Sequence, residues 1–202
     1  AIEPIDIRHA ARNDHAIKLL AIGKRSPGGI ELRVHPTLIP RAHLLANVNG
    51  VYNGIFVRGD LIGDALFYGR GAGAAPTASA VVSDIVSIAQ GIARCSSVSA
   101  RTPGVIRRDA APLRPIDEVQ TRYYVRFSAV DKPGVLACIA GILAGYRISI
   151  ASVTQEERRA AKIVPIVMMT HEVRERDMRR ALAEIDRLPM IRKRSVRIRI
   201  EN

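Results

Sequence analysis

Tryptophan is absent from the 202 residues, phenylalanine occurs three times and cysteine twice. Aromatic rings that could stack on bases are scarce. Two thiols, Cys95 and Cys138, are too few for a disulfide framework, so a reducing cytoplasm is the expected setting. Neither thiol has Cys or His neighbours at ligand spacing, and no metal site is expected. His35 and His43 flank a Pro-rich segment without a partner pattern and read as structural. No apolar run approaches the roughly 20 residues that cross a bilayer. The opening Ala1-Ile2-Glu3-Pro4-Ile5-Asp6 has neither the basic start nor the apolar core of a secretory leader, so no membrane partner is expected.

Acidic side chains are also in deficit, 19 against 31 Lys plus Arg, for a formal charge of +12. Such an excess raises the question of nucleic acid. The basic residues are dispersed, however, and the one dense cluster is Arg192-Lys193-Arg194 with Arg197 and Arg199. In Val196-Arg197-Ile198-Arg199-Ile200 the arginines alternate with apolar residues, as on the wet face of a half-buried strand. A solvated basic surface follows, with no nucleic-acid partner. What is present is a globular composition, 48% hydrophobic and 25% charged, enough for one large or two small domains.

The densest signal is Gly71-Ala72-Gly73-Ala74-Ala75-Pro76-Thr77-Ala78-Ser79-Ala80, fed by the strand-like Asp64 to Tyr68. Val81, Ile85, Ile88 and Ile92 then recur at helical spacing. Proline suits the first turn of a helix, and glycine lets another group approach the main chain. Amide donors at a helix start attract phosphate. The stretch is either a nucleotide or phosphate contact or a tight turn whose glycines only allow close packing.

Three regions are expected. Residues 1–93 contain an apolar run at Ile17 to Ile22 and an alternating run at Ile30 to Val34, joined through Pro27-Gly28-Gly29 as a hairpin that ends at His35 to Pro40. A turn-rich stretch to Phe56, a turn at Arg58-Gly59-Asp60 and the strand to Tyr68 complete a mixed or antiparallel sheet. Residues 94–121 lose periodicity and carry Pro103, Gly104, Pro112 and Pro115, as a linker does. In residues 122–202, Tyr123, Val125, Phe127 and Ala129 alternate on a strand, and Asp131-Lys132-Pro133-Gly134 makes a turn. Val135, Leu136, Ile139, Ile142 and Leu143 form a helix face. Strands at Ile148 to Val153 and Lys162 to Thr170 follow. A second helix face at Met178, Leu182, Ile185 and Leu188 and a strand at Ser195 to Ile200 complete a ferredoxin-like βαββαβ order. The fold class is α+β. Two helices on one face leave the other face open or covered by a partner, and a second copy is the usual one.

Several blocks in order resemble bacterial homoserine dehydrogenase: His35 to Pro40, Leu45 to Asn53, Tyr68 to Gly73 and Pro76 to Ile85. The βαββαβ region resembles the C-terminal ACT domain of that family at Asp131 to Leu136, Ile148 to Val153 and Val164 to His171. The resemblance implies residues 1–93 as the end of a catalytic domain, 94–121 as a linker and 122–202 as an amino-acid-sensing domain. It implies interconversion of L-homoserine and L-aspartate 4-semialdehyde with NADP or NAD, a threonine-like effector and a homo-oligomer. Gly73 becomes the position whose main chain meets the cofactor, with Gly71 and Ala72 shaping the turn. Val81, Ile85 and Ile88 are then expected to face a dinucleotide-binding domain. The effector is expected at Asp131, Gly134, Val135 and Leu136. No βαβ unit opens with a Gly-x-Gly-x-x-Gly fingerprint, and the family's catalytic lysine corresponds to no residue here, so no catalytic residue is assigned. The chain opens on Ala1 without Met, as a piece of a longer protein does. A non-catalytic amino-acid-binding module is the alternative reading. One departure stands out: Arg147 occupies the place where the family has glycine before a strand. If positive φ is needed there, arginine fits poorly.

Overall fold

The computed structural model describes residues 2–26, 28–93, 111–155 and 163–201. In chain order the elements are helix α1 (Pro4–Arg12), strands β1 (His15–Ser26), β2 (Gly29–Pro40), β3 (Tyr52–Gly59) and β4 (Gly63–Arg70), and helix α2 (Ala74–Ala93). After residue 110 come β5 (Gln120–Val130), α3 (Val135–Gly145), β6 (Ile150–Gln155), β7 (Ile163–Thr170), β8 (Val173–Arg174), α4 (Glu175–Ile185) and β9 (Ile191–Ile200). Two compact units result, Ala1–Arg41 with Ala111–Asn202, and Ala42–Ala110.

The first unit is built on one sheet in the order β1-β2-β9-β5-β7-β6, with β8 paired to β5. On one face, Tyr123, Val125, Phe127 and Ala129 alternate along β5 and meet Ile139 and Leu143 of α3 and Met178, Ala181 and Ile185 of α4. This is the βαββαβ arrangement read from the sequence, and the fold class is α+β. Burying a large aliphatic or aromatic side chain is worth about 1.5–3 kcal/mol, so this layer fixes the strand register.

The opposite face is not left open. Tyr124, Val167, Met169, Ile198 and Ile200 form a second core with Ala10 of α1 and Leu38 of β2. The β1–β2 hairpin pairs in register from His15 opposite Pro40 to Ser26 opposite Gly29. It joins the sheet edge where Thr37 and Leu38 run parallel to Arg199 and Ile200 of β9. The stretch His35 to Pro40 therefore continues the strand instead of ending it. Proline is tolerated where a strand's N–H faces no ladder, and the ladder to β9 is confined to two residues.

Helix α1 had no counterpart in the sequence expectations. Pro4 opens it, and Asp6 in its first turn accepts the Glu3 N–H at 2.8 Å. That arrangement is the return half of a capping box. Asp6 also accepts the Tyr124 hydroxyl at 2.9 Å and two Arg126 donors at 2.7 and 3.1 Å, all in a buried setting. Residues 1–41 thus pack with the βαββαβ region, whereas the sequence division grouped them with 42–93. Most of the expected linker, residues 94–110, lies outside the described residues, as does Cys95. Arg114, inside the expected linker, is tied to Glu31 at 2.8 Å and to the Ser26 hydroxyl at 3.0 Å.

In the second unit His43 caps a short 3-10 turn (Leu44–Asn47), accepting the Leu45 N–H at 3.2 Å, and its ring meets Phe56 edge-on. β3 and β4 form a hairpin from Tyr52 opposite Arg70 to Gly59 opposite Gly63. Helix α2 follows with no buried residue.

Candidate functional site

The glycine turn joins β4 to α2. Gly73 has φ +125, which L side chains rarely adopt, and its carbonyl accepts the Thr77 N–H at 3.1 Å as the first bond of the helix. A Cβ on Gly71 would lie 1.7 Å from the Asn53 side-chain nitrogen. Gly71 also donates its N–H to the Val51 carbonyl at 3.1 Å. Gly73 is favoured by its backbone conformation, while at Gly71 a Cβ would displace the exposed Asn53 side chain. Around Gly73 only Pro76 comes within 4 Å of a built Cβ. The main chain there is accessible, as a contact with a flat ring or a phosphate needs. Downstream, Val81, Ile85, Ile88 and Ile92 are 52–74% exposed. This helix presents its apolar side chains to solvent.

A second site lies in the first unit, where β5 passes into α3. Gly134 takes φ +87 and starts the helix, its carbonyl accepting the Cys138 N–H at 2.9 Å. The N-cap residue of α3 makes no side-chain cap bond and the Val135 N–H bonds the Lys132 carbonyl at 3.4 Å, so the helix start offers an external acceptor the amides of Leu136 and Ala137. Asp131, Gly134, Val135 and Leu136 line one cavity of about 310 Å³ with Gln155 and Ile166. That volume lies at the small end of the range for ligand sites. The sequence assigned the turn but missed Gln155 and Ile166. They come from β6 and β7, and only the register of those strands brings them here; no local signal marks them. Cys138 on α3 is a free thiol.

Close to the end of α3, the departure noted in the sequence has a structural consequence. Arg147 has φ +57. Its N–H bonds the Ala144 carbonyl at 2.9 Å, and that of Ile148 bonds the Leu143 carbonyl at 2.9 Å. These two bonds form a Schellman motif, with Leu143 and Ile148 both in the core. Arginine holds a left-handed position that glycine would occupy without strain.

One buried acid sits at the start of α4. Glu175 accepts the Tyr123 hydroxyl at 2.6 Å, Arg199 Nε at 2.8 Å and an Arg197 guanidinium nitrogen at 2.8 Å. Burial pushes this carboxyl up, but the Arg199 and Tyr123 hydrogen bonds and the two arginine charges outweigh it and hold it below its ordinary value. Burial, with the neighbouring Glu175, pushes the Tyr123 hydroxyl up, so it stays a donor. Among the described residues no group of three or more His, Cys, Asp or Glu is placed to hold a metal. No helix there is long and apolar enough to cross a membrane.

The first unit is a βαββαβ sandwich extended at one edge, with a ligand-sized cavity at the start of α3, and the second carries a glycine turn that leads into an exposed apolar helix. Comparison with known proteins gives each part a family. Residues 1–86 match the homoserine dehydrogenase family and residues 123–189 the ACT domain. Homoserine dehydrogenases from Neisseria gonorrhoeae and Pseudomonas aeruginosa are each 41% identical over 201 residues, covering 98% and 97% of this chain and 46% of each relative. The crystal structure of a homoserine dehydrogenase from Thiobacillus denitrificans superposes with a TM-score of 0.80 at 39% identity, covering 98% of this chain and 45% of that one. The chain belongs to the homoserine dehydrogenase family. It spans a little under half the length of the relatives it matches, and the matched part is their C-terminal part.

Proposed function

We propose that the chain serves the NAD(P)-dependent interconversion of L-homoserine and L-aspartate 4-semialdehyde, and that its ACT domain senses an amino acid, threonine being the first candidate. The observation that carries this reading is the continuous match, 41% identical across nearly the whole chain, with both functional turns inside it. The nicotinamide cofactor, when bound, supplies hydride to the aldehyde carbon or accepts it from the alcohol. This chain's share is positioning. Gly73 offers main chain free of Cβ to the cofactor, and Gly71 and Ala72 set the path of the turn. The exposed Val81, Ile85 and Ile88 pack against the dinucleotide-binding domain that gives those glycines their ligand.

At the sensor turn, the Leu136 and Ala137 amides at the start of α3 take the effector carboxylate, and Asp131 takes its ammonium group. Val135, Leu136 and Ile166 enclose the short side chain. A hydrogen bond to a charged group is worth about 1.5–3 kcal/mol, so Asp131→Asn is expected to weaken threonine binding by about 10-fold to 100-fold in calorimetry. An unchanged affinity would remove Asp131 from the site. By function, residues 1–93 belong to the catalytic region, 94–121 to the connection and 122–202 to the sensor. The chain works as a homo-oligomer in the cytoplasm. The hairpin face bearing Leu19, Leu32 and Val34, 63–73% exposed, is the candidate contact.

Fusing the chain to the N-terminal half of the Neisseria gonorrhoeae relative tests the catalytic reading. NADPH-dependent reduction of aspartate semialdehyde is expected from the fusion, and Gly73→Val is expected to raise KM for NADPH at least tenfold. A folded fusion that binds threonine without turnover would favour the non-catalytic module instead.

A further inference from the structure

Between α4 and β9, with His35 of β2 on its wall, lies a cavity of about 450 Å³ that shares no lining residue with the glycine turn or the Asp131 turn. Arg179, Arg194, Arg197 and Arg199 line it. Their partners are fewer than their charges. Arg197 and Arg199 share the one carboxylate of Glu175, and Arg179 pairs with Asp117 at 2.9 Å. Asp186, also on the wall, accepts the Ser195 N–H and hydroxyl at 2.9 and 2.5 Å. Arg194 has no carboxylate partner among the described residues. Three carboxylates thus face four guanidinium groups, and one positive charge is left without a counter-ion.

His35 adds a second unmet group. Its Nδ1 lies 3.1 Å from the Pro36 carbonyl and 3.0 Å from the Thr37 hydroxyl, while its buried Nε2 has no hydrogen-bond partner. Burial, then the charges of Arg199 and Arg33, hold this imidazole below its ordinary value against the opposing pull of the Pro36 carbonyl and Glu201. Leu182 and Val196 contribute apolar wall. A preorganised guanidinium pair suits a planar carboxylate or a phosphate, and the apolar wall suits a body attached to it.

We propose that this cavity binds a small organic anion, a phosphate or carboxylate on an apolar body, held by Arg194 together with the arginines that Glu175 and Asp117 orient. The site is independent of the threonine and cofactor turns.

Titrating the chain with phenyl phosphate, benzoate and neutral benzyl alcohol tests this, with the imidazole resonances of His35 followed by NMR across pH. One anion at least is expected to bind with one-to-one stoichiometry and raise the pKa of His35, while benzyl alcohol does neither. The stronger of the two anions identifies the headgroup. Arg194→Gln is expected to weaken binding tenfold or more with an unchanged circular dichroism spectrum, since Arg194 is exposed and anchors nothing. Asp131→Asn is expected to leave this binding intact. Failure of both anions to bind at millimolar concentration overturns the proposal. So does equal binding of benzyl alcohol, or an affinity unchanged in both Arg194→Gln and Arg179→Gln.

Discussion

Arg147 and Glu175 show how much single side chains carry here. A left-handed conformation costs a residue with a Cβ roughly 1–2 kcal/mol, and glycine's added chain entropy returns part of that, about 0.5–1 kcal/mol. Arg147→Gly is therefore expected to stabilise the protein by about 0.5–1 kcal/mol. Thermal unfolding reads this as a higher Tm, by about 2–4 °C per kcal/mol at this size. A lower Tm would mean that the arginine side chain makes a compensating contact. Glu175 lies at the other extreme. Removing one partner of a buried ion pair costs about 3–5 kcal/mol, so Glu175→Gln is expected to lose about that much at neutral pH by denaturant titration.

The pH dependence has a definite sign. Burial raises the carboxyls of Asp6 and Glu175, but arginine and tyrosine hydrogen bonds more than offset it, so both stand below their ordinary values. The folded state then binds fewer protons than the unfolded one. The stability this contributes is full above the ordinary carboxyl pKa near 4. It is lost as pH falls through the depressed folded values. The acid limb of the stability curve is expected to flatten in Glu175→Gln. An identical limb would place the acid-labile groups elsewhere.

At the scale of elements, the strands and helices that carry their own pattern were legible. Alternation along Tyr123 to Ala129 gave β5, and the Val135 to Leu143 periodicity gave α3. Helix α1 was not legible as a helix because its buried face is small and polar, with Asp6 and His9 beside Ala10. Its one local signal is Glu3-Pro4 followed by Asp6, a short cap pattern. The covering of the second sheet face was equally hidden. It depends on residues 1–41 meeting residues more than a hundred positions away, which no local period encodes. Ala10→Glu is expected to place an unpaired charge between α1 and the sheet and to destabilise the first unit by several kcal/mol. Circular dichroism melting checks it, and a neutral result would mean that α1 does not cover that face.

On the scale of the whole molecule, the two units differ in how complete they are. The first has a core on each face of its sheet. The second presents the apolar residues of α2 and much of its hairpin, including Ile55 and Phe67, to solvent, a surface of the kind that marks an interaction site. The first unit thus closes the βαββαβ sheet with residues from the start of the chain, while the second keeps an apolar surface open for the dinucleotide-binding domain proposed above. The glycine turn was found from the sequence because glycine chemistry is local. The cofactor proposed for it rests on the resemblance to the family alone.

Threonine's effect on the turnover of the fused enzyme tests the account most directly. NADPH-dependent reduction of aspartate semialdehyde is predicted to proceed and to fall as threonine is added, with Asp131→Asn shifting the response to higher threonine by about tenfold or more. Turnover indifferent to threonine, or a folded fusion with no turnover at all, would contradict it.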